Sequence, residues 1–231
     1  MTPQRVLLVI PPLTQLNTPY PSITYLTGFL QSHGIHTEQA DLGIEMVLRL
    51  FSTGGLQSIF KQLHNSTSVL PKEAVQMIKA EHRYMEMIEP VITFLQGRSP
   101  DLAGRFMQPG VLPQGPRFRG RRTFPRSVSV TDRAKQWATF FLEDLTDLVQ
   151  ATITPHFGLS RYAEHIGRSA SSFDQIAAAL TEPKSLIDEW LLDVFWNHFH
   201  RVQPTLVGLS IPFPGNLYGA FLIAQSIKEQ Y

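Results

Sequence analysis

The chain has 231 residues, 43% of them hydrophobic, which is ample core for one large domain or a domain with a sizeable insertion. A net charge of +1 supplies no global field of the kind that draws a protein to nucleic acid or to an anionic membrane. Zero cysteines exclude disulfides, thiolate zinc sites, cysteine nucleophiles and any iron–sulfur cluster held by this chain's own cysteines.

Val6-Leu-Leu-Val-Ile10 is a continuous apolar run stopped by Pro11-Pro12, the pattern of a strand buried on both faces of a parallel sheet. The run is too short for a signal-peptide core, and no stretch reaches the roughly 18 apolar residues of a membrane span, so the expected compartment is the cytoplasm. A loop follows over 13–21 with Gln15, Asn17, Thr18 and Tyr20. From Ser22, a candidate cap, the spacing turns helical through Ile23, Leu26, Phe29 and Leu30 until Gly34. Residues 35–40 then predict a second strand ending at Asp41. Strand, loop, helix and strand in about 37 residues make one βαβ unit.

The next stretch is helical. Residues 44–95 carry an apolar stripe, including Ala74, Met77, Tyr84, Met87 and Ile88, with a turn expected at Thr53-Gly-Gly55 and a break near Pro71. Prolines at 100, 109, 113, 116 and 125 mark 97–125 as loop. Helices are expected again over 131–153, 158–167, 171–181 and 183–200. Strand and loop then return with Thr205–Ile211 and 212–216, followed by an amphipathic helix over 217–228. The pattern predicts an α/β fold whose parallel sheet is incomplete, formed by 1–43 and 201–231. An all-helical insertion, 44–200, lies between strands two and three and carries a Pro- and Arg-rich loop at 97–130.

Open parallel sheets bind ligands beyond the carboxyl ends of their strands, which directs attention to the loops after the first and third strands. Rigid prolines there flank Gln15, Asn17, Thr18 and Tyr20. Ser210 to Asn216 leads into a helix amino terminus, where free N–H groups favour an anion. Ordinary turns punctuated by proline are the alternative.

Other constellations point to less. His33 with His36, and His198 with His200, lack a carboxylate at a recognised ligand spacing and are expected at surfaces or interfaces. Gly208-Leu-Ser210 resembles a nucleophile elbow, but Pro212 stands where that turn requires glycine. Arg117, Arg119, Arg121, Arg122 and Arg126, interleaved with Phe118 and Phe124, could contact phosphate; with a net charge of only +1 on the chain the segment is expected to be solvated or docked on acidic protein surface, not on nucleic acid. Trp137, Phe140, Phe141, Trp190 and Trp196 fit helix-to-helix core. The acid pairs Glu143-Asp144 and Asp188-Glu189 are expected to face water.

Several blocks resemble one family. Val6-Leu-Leu-Val-Ile-Pro-Pro12, Gln15-Leu-Asn-Thr-Pro-Tyr-Pro-Ser22, Tyr25-Leu-Thr-Gly28, Gln39-Ala-Asp-Leu-Gly-Ile-Glu45, Phe157-Gly-Leu-Ser-Arg-Tyr-Ala163 and Val207-Gly-Leu-Ser-Ile-Pro-Phe-Pro-Gly-Asn-Leu-Tyr-Gly219 look like the start of radical S-adenosylmethionine proteins with an N-terminal cobalamin-binding domain. The resemblance implies a flavodoxin- or Rossmann-like fold with the corrin over the strand ends. Gln15, Asn17, Thr18 and Tyr20 would then face the ring, and Ser210, Pro212 and Asn216 its edge or nucleotide tail. No Asp-x-His occurs in the sequence, so cobalamin would bind without a protein histidine as lower ligand. The implied 4Fe-4S cluster and S-adenosylmethionine belong to a C-terminal domain of a full-length parent, leaving this region catalytically silent alone. The expected partners are the corrinoid and that C-terminal domain, with no membrane. An exposed sheet edge would favour a homodimer. Two other readings stand: the nucleotide-binding half of an unrelated α/β enzyme such as a glycosyltransferase, and a helical protein-interaction module.

Overall fold

The computed structural model describes residues 4–12, 20–119, 127–155, 157–158 and 173–231. The fold is mixed α/β, built on a three-stranded parallel sheet with many helices between its second and third strands. The strands are β1 (Arg5–Ile10), β2 (His36–Asp41) and β3 (Leu206–Leu209), in spatial order β2-β1-β3. β1 is the middle strand, and its apolar side chains suit burial on both faces: Val6, Leu7, Leu8, Val9 and Ile10 are at most 6% exposed. Its register sets Arg5 beside His36 and Ile10 beside Asp41 on one edge, and Val6 beside Leu206 and Val9 beside Leu209 on the other.

Cα-level compactness divides the chain into two units, 1–47 with 156–231, and 48–155. The first holds the sheet. Its helices are α1 (Ser22–Ser32), the start of α2 (Leu42–Leu50), α8 (Asp174–Thr181), α9 (Leu186–Val202) and α10 (Leu217–Gln230). Ile23 of α1 packs on the face of β1 that presents Val6, Leu8 and Ile10, with Leu30 and Ile35 closing the cluster. Two residues of the expected helical stripe stay outside, Leu26 at 48% and Phe29 at 60% exposed, as does their neighbour Tyr25 at 77%. A helix lying on a sheet buries one narrow stripe, and the positions beside it stay outside.

Asp41 ends β2 by accepting hydrogen bonds from the N–H groups of Gly43 and Ile44 (3.0 and 3.2 Å), which starts α2 without a loop. At α9, Ser185 and Asp188 form a reciprocal capping box, so Asp188 is buried instead of facing water. That helix ends at Gln203 in the left-handed region (φ 47°), and Pro204 forbids its continuation before β3.

The second unit holds the end of α2 with α3 (Thr53–His64), α4 (Lys72–Lys79), α5 (Glu81–Leu95), α6 (Leu102–Phe106) and α7 (Val130–Thr152). The turn expected at Thr53-Gly-Gly55 is the first turn of α3, capped by Ser52, whose hydroxyl accepts from Gly55 N–H at 3.0 Å. A Cβ on Gly55 would overlap the carbonyl oxygens of Arg49 and Leu50, so this glycine permits close approach and does not break the helix. The loop expected from 97 contains α6 and a single 3-10 turn at Pro116–Phe118, held by the burial of Phe106 and Phe118. Residues 120–126, with Arg121, Arg122, Phe124 and Arg126, and most of the helix expected at 158–167 lie outside the described residues. The aromatic stripe is divided between the units. Phe140 and Phe141 are buried in the helical one, and Trp190 in the sheet unit.

Candidate functional site at the strand ends

β2 and β3 flank β1 on opposite sides, so the chain leaves β1 and β3 in a crevice at the point where strand order reverses. Gln15, Asn17 and Thr18 fall outside the described residues. The rest of the two loops is brought together by four contacts. The Ser22 and Ser210 hydroxyls lie 2.5 Å apart, joining the first residue of α1 to the end of β3. Tyr20 and Phe213 meet edge to face with centroids 5.8 Å apart. The Asn216 side-chain amide donates to the Pro11 carbonyl at 2.7 Å. Ser210 N–H continues the ladder to the Val9 carbonyl at 2.8 Å.

These residues play distinct parts. Ser22 does not cap α1: the cap position is Pro21, and the hydroxyl turns to Ser210 instead. Asn216 is wholly buried and pins the end of β1 to the start of α10, while its Oδ1 has no hydrogen-bond partner among the described residues. A buried amide oxygen left unpaired costs about 1–3 kcal/mol. Pro212 is half-buried, and Tyr20, Ile211 and Phe213 are 38%, 41% and 47% exposed, forming an apolar rim. Gly219 lets α10 close on this point, since a Cβ there would lie 3.3 Å from the Pro12 carbonyl oxygen.

Among the described residues, 20–22 and 210–216 include no charged side chain. The described residues here present hydroxyls, a buried amide and aromatic edges. Tyr218, the second residue of α10, is not available as a proton donor near neutrality: burial first, then the Asp188 carboxylate to which it is hydrogen-bonded, pushes its hydroxyl well up. No group of three or more His, Asp or Glu among the described residues could hold a metal ion. His198 is engaged in a chain of polar contacts. Its Nε2 lies 2.7 Å from Glu45, its Nδ1 accepts from Arg201 at 3.0 Å, and Arg201 also meets Glu38 at 2.7 Å. Because a guanidinium only donates, that geometry places the ring proton on Nε2.

Ser22 and Phe213 are the site residues that sequence reasoning missed. The signal for Phe213 was its position between Pro212 and Pro214, where an aromatic side chain is held outward. Ser22 carried none, since a serine before a helical stripe reads as a cap.

The fold is that of an α/β protein with a parallel sheet whose strand order reverses between β1 and β3. Comparison with known proteins finds no matching family model, no matching curated protein and no matching solved structure. No helix among the described residues is long and apolar enough to cross a membrane.

Proposed function

We propose that this chain contributes the N-terminal, cobalamin-binding-like region of a radical S-adenosylmethionine enzyme. The observation that carries the reading is the convergence of the two loops whose sequences resemble that family: Ser22 meets Ser210, Tyr20 meets Phe213, and Asn216 ties Pro11. A corrinoid fits the donor set in kind. Its rim amides could pair with the Ser22 and Ser210 hydroxyls and with Asn216 Oδ1, its apolar edge with Tyr20, Pro212 and Phe213, and Gln15, Asn17 and Thr18 would complete the contact. When bound, such a cofactor supplies a group-carrying metal for methyl transfer or radical rearrangement. The chain's own residues hold it, orient it and exclude water. With no histidine in the crevice residues 20–22 and 210–216, binding proceeds without a protein lower ligand.

The iron–sulfur chemistry and S-adenosylmethionine belong, in this reading, to a C-terminal domain. The outer edge of β3 supports it. Leu206 is 59% exposed there, beside a groove of about 440 Å³ lined by Phe199, Val207, Leu209 and Ile227. Further parallel strands of the same cofactor domain would continue from that edge, the pattern of doubly wound sheets.

Mixing the purified chain with hydroxocobalamin, removing free ligand and recording the visible spectrum tests the proposal. Retained corrinoid with a water-ligated or base-off spectrum is expected. A histidine-ligated spectrum, or uptake of a nucleotide sugar with no uptake of corrinoid, overturns it; the second outcome supports the glycosyltransferase-like alternative.

A further inference from the structure

The unit 48–155 buries a carboxylate that the sequence pattern assigns to solvent. Asp144, in the middle of α7, is 1% exposed and accepts hydrogen bonds from the backbone N–H groups of Gly115 (2.8 Å) and Arg117 (2.9 Å). Gly115 sits so close that a Cβ would overlap the carboxylate, 2.6 Å from Oδ2. Two further ties fasten the same segment. Arg117 forms a two-pronged pair with Asp147 one turn along (2.6 and 2.7 Å), and Phe118 stands edge-on to Trp137 and Phe140 at 5.6 and 5.7 Å. Together with Gln76, Met77, Arg83 and Tyr84, residues 113–116 wall a pocket of about 160 Å³.

We propose that residues 113–118 form a proton-sensitive strap, closed over Asp144 when its carboxyl group is protonated and loosened when that group ionises. The strap is what keeps water from Asp144, so the two conditions of the carboxyl group correspond to the two positions of the strap. Closed, the group is desolvated, and burial outweighs the two backbone N–H groups that favour the anion; the carboxyl is pushed up to about 6. Released, it is hydrated and returns to the ordinary carboxylate range near 4. The form with the higher value binds the proton more tightly, so protonation favours closure. That stabilisation is fully present below the open-state value and is lost as pH rises through about 6. A protonated Asp144 still accepts one of the two N–H bonds through its carbonyl oxygen.

The groups around Asp144 fit this sense. Asp147 on its own helix raises it, and Arg117 on the strap partly opposes. From α5, Tyr84 faces it, its own hydroxyl pushed up by burial and then by Asp144, with Arg83 bonded to the Gly110 carbonyl beside it. Glu73 of α4 lies across the pocket and pairs with Arg119 at 3.9 Å, and α6 contributes Arg105. His64 and His82 are exposed, the first paired with Glu81.

Residue-resolved amide exchange of the full chain from pH 5 to pH 8, each rate divided by its intrinsic base-catalysed value, tests this. Protection at Gly115 and Arg117 is expected to fall about tenfold across the range with a midpoint near 6, while amides of α3 stay level. The Asp144→Asn variant should abolish the slope. Protection that is flat or rises with pH overturns the strap. Should the variant fail to fold, the carboxyl carbon resonance of Asp144 in the wild-type chain decides: a midpoint near 6 shared with the exchange supports the proposal, and one in the ordinary carboxylate range refutes it.

Discussion

β1 and β3 lie side by side in register, and both are made of interior-type residues, yet they live in different surroundings. Leu7 and Val9 of β1 are fully buried, while Leu206 of β3 is 59% exposed and its neighbours are half-buried. Residue chemistry is the same; the number of flanking strands is not. Apolar content records how much burial a strand can use, and only topology decides how much it receives.

Substitutions can break that contrast, and they rank by burial. Leu7→Ala should be the most costly, at about 2–5 kcal/mol in denaturant titration, because the middle strand cannot collapse around a cavity. Asn216→Ala comes next: it orphans the buried Pro11 carbonyl and should cost about 1–3 kcal/mol by the same measurement. Ser210→Ala removes a hydroxyl contact in the half-buried crevice, and about 0.5–1.5 kcal/mol of stability should go with it, with corrinoid uptake weakened if the proposed site is right. Leu206→Ala belongs at the other end, within about 0.5 kcal/mol of wild type. A loss at Leu206 as large as that at Leu7 would mean that the outer edge of β3 is covered in solution.

The strands, the parallel architecture and the two convergent loops were legible from the sequence because each rests on a local signal. An unbroken aliphatic run, a proline stop and a helical stripe need no knowledge of distant chain. What was not legible depends on partners far away. Asp144 looks like half of a solvated acid pair until Gly115 and Arg117, nearly thirty positions earlier, cover it. Ser22 reads as a cap until Ser210 arrives beside it. Gly55 reads as a turn, because nothing in the sequence says that the Arg49 and Leu50 carbonyls will press on it. Of the residues singled out in the two loops, Tyr20 meets Phe213, Ser210 meets Ser22, and Asn216 is a buried tie to Pro11.

The pairing of Arg5 with Thr205, whose backbone and hydroxyl groups bond across 200 positions, bears on how the chain is born. At a synthesis rate of about 5–20 residues per second, β1 leaves the ribosome roughly 10–40 s before its second neighbour exists. The helical unit, whose contacts are closer in sequence, can be complete by then, while the nascent β1 still shows one bare aliphatic edge. This gives the protein a built-in delay before the second edge of its central strand is covered.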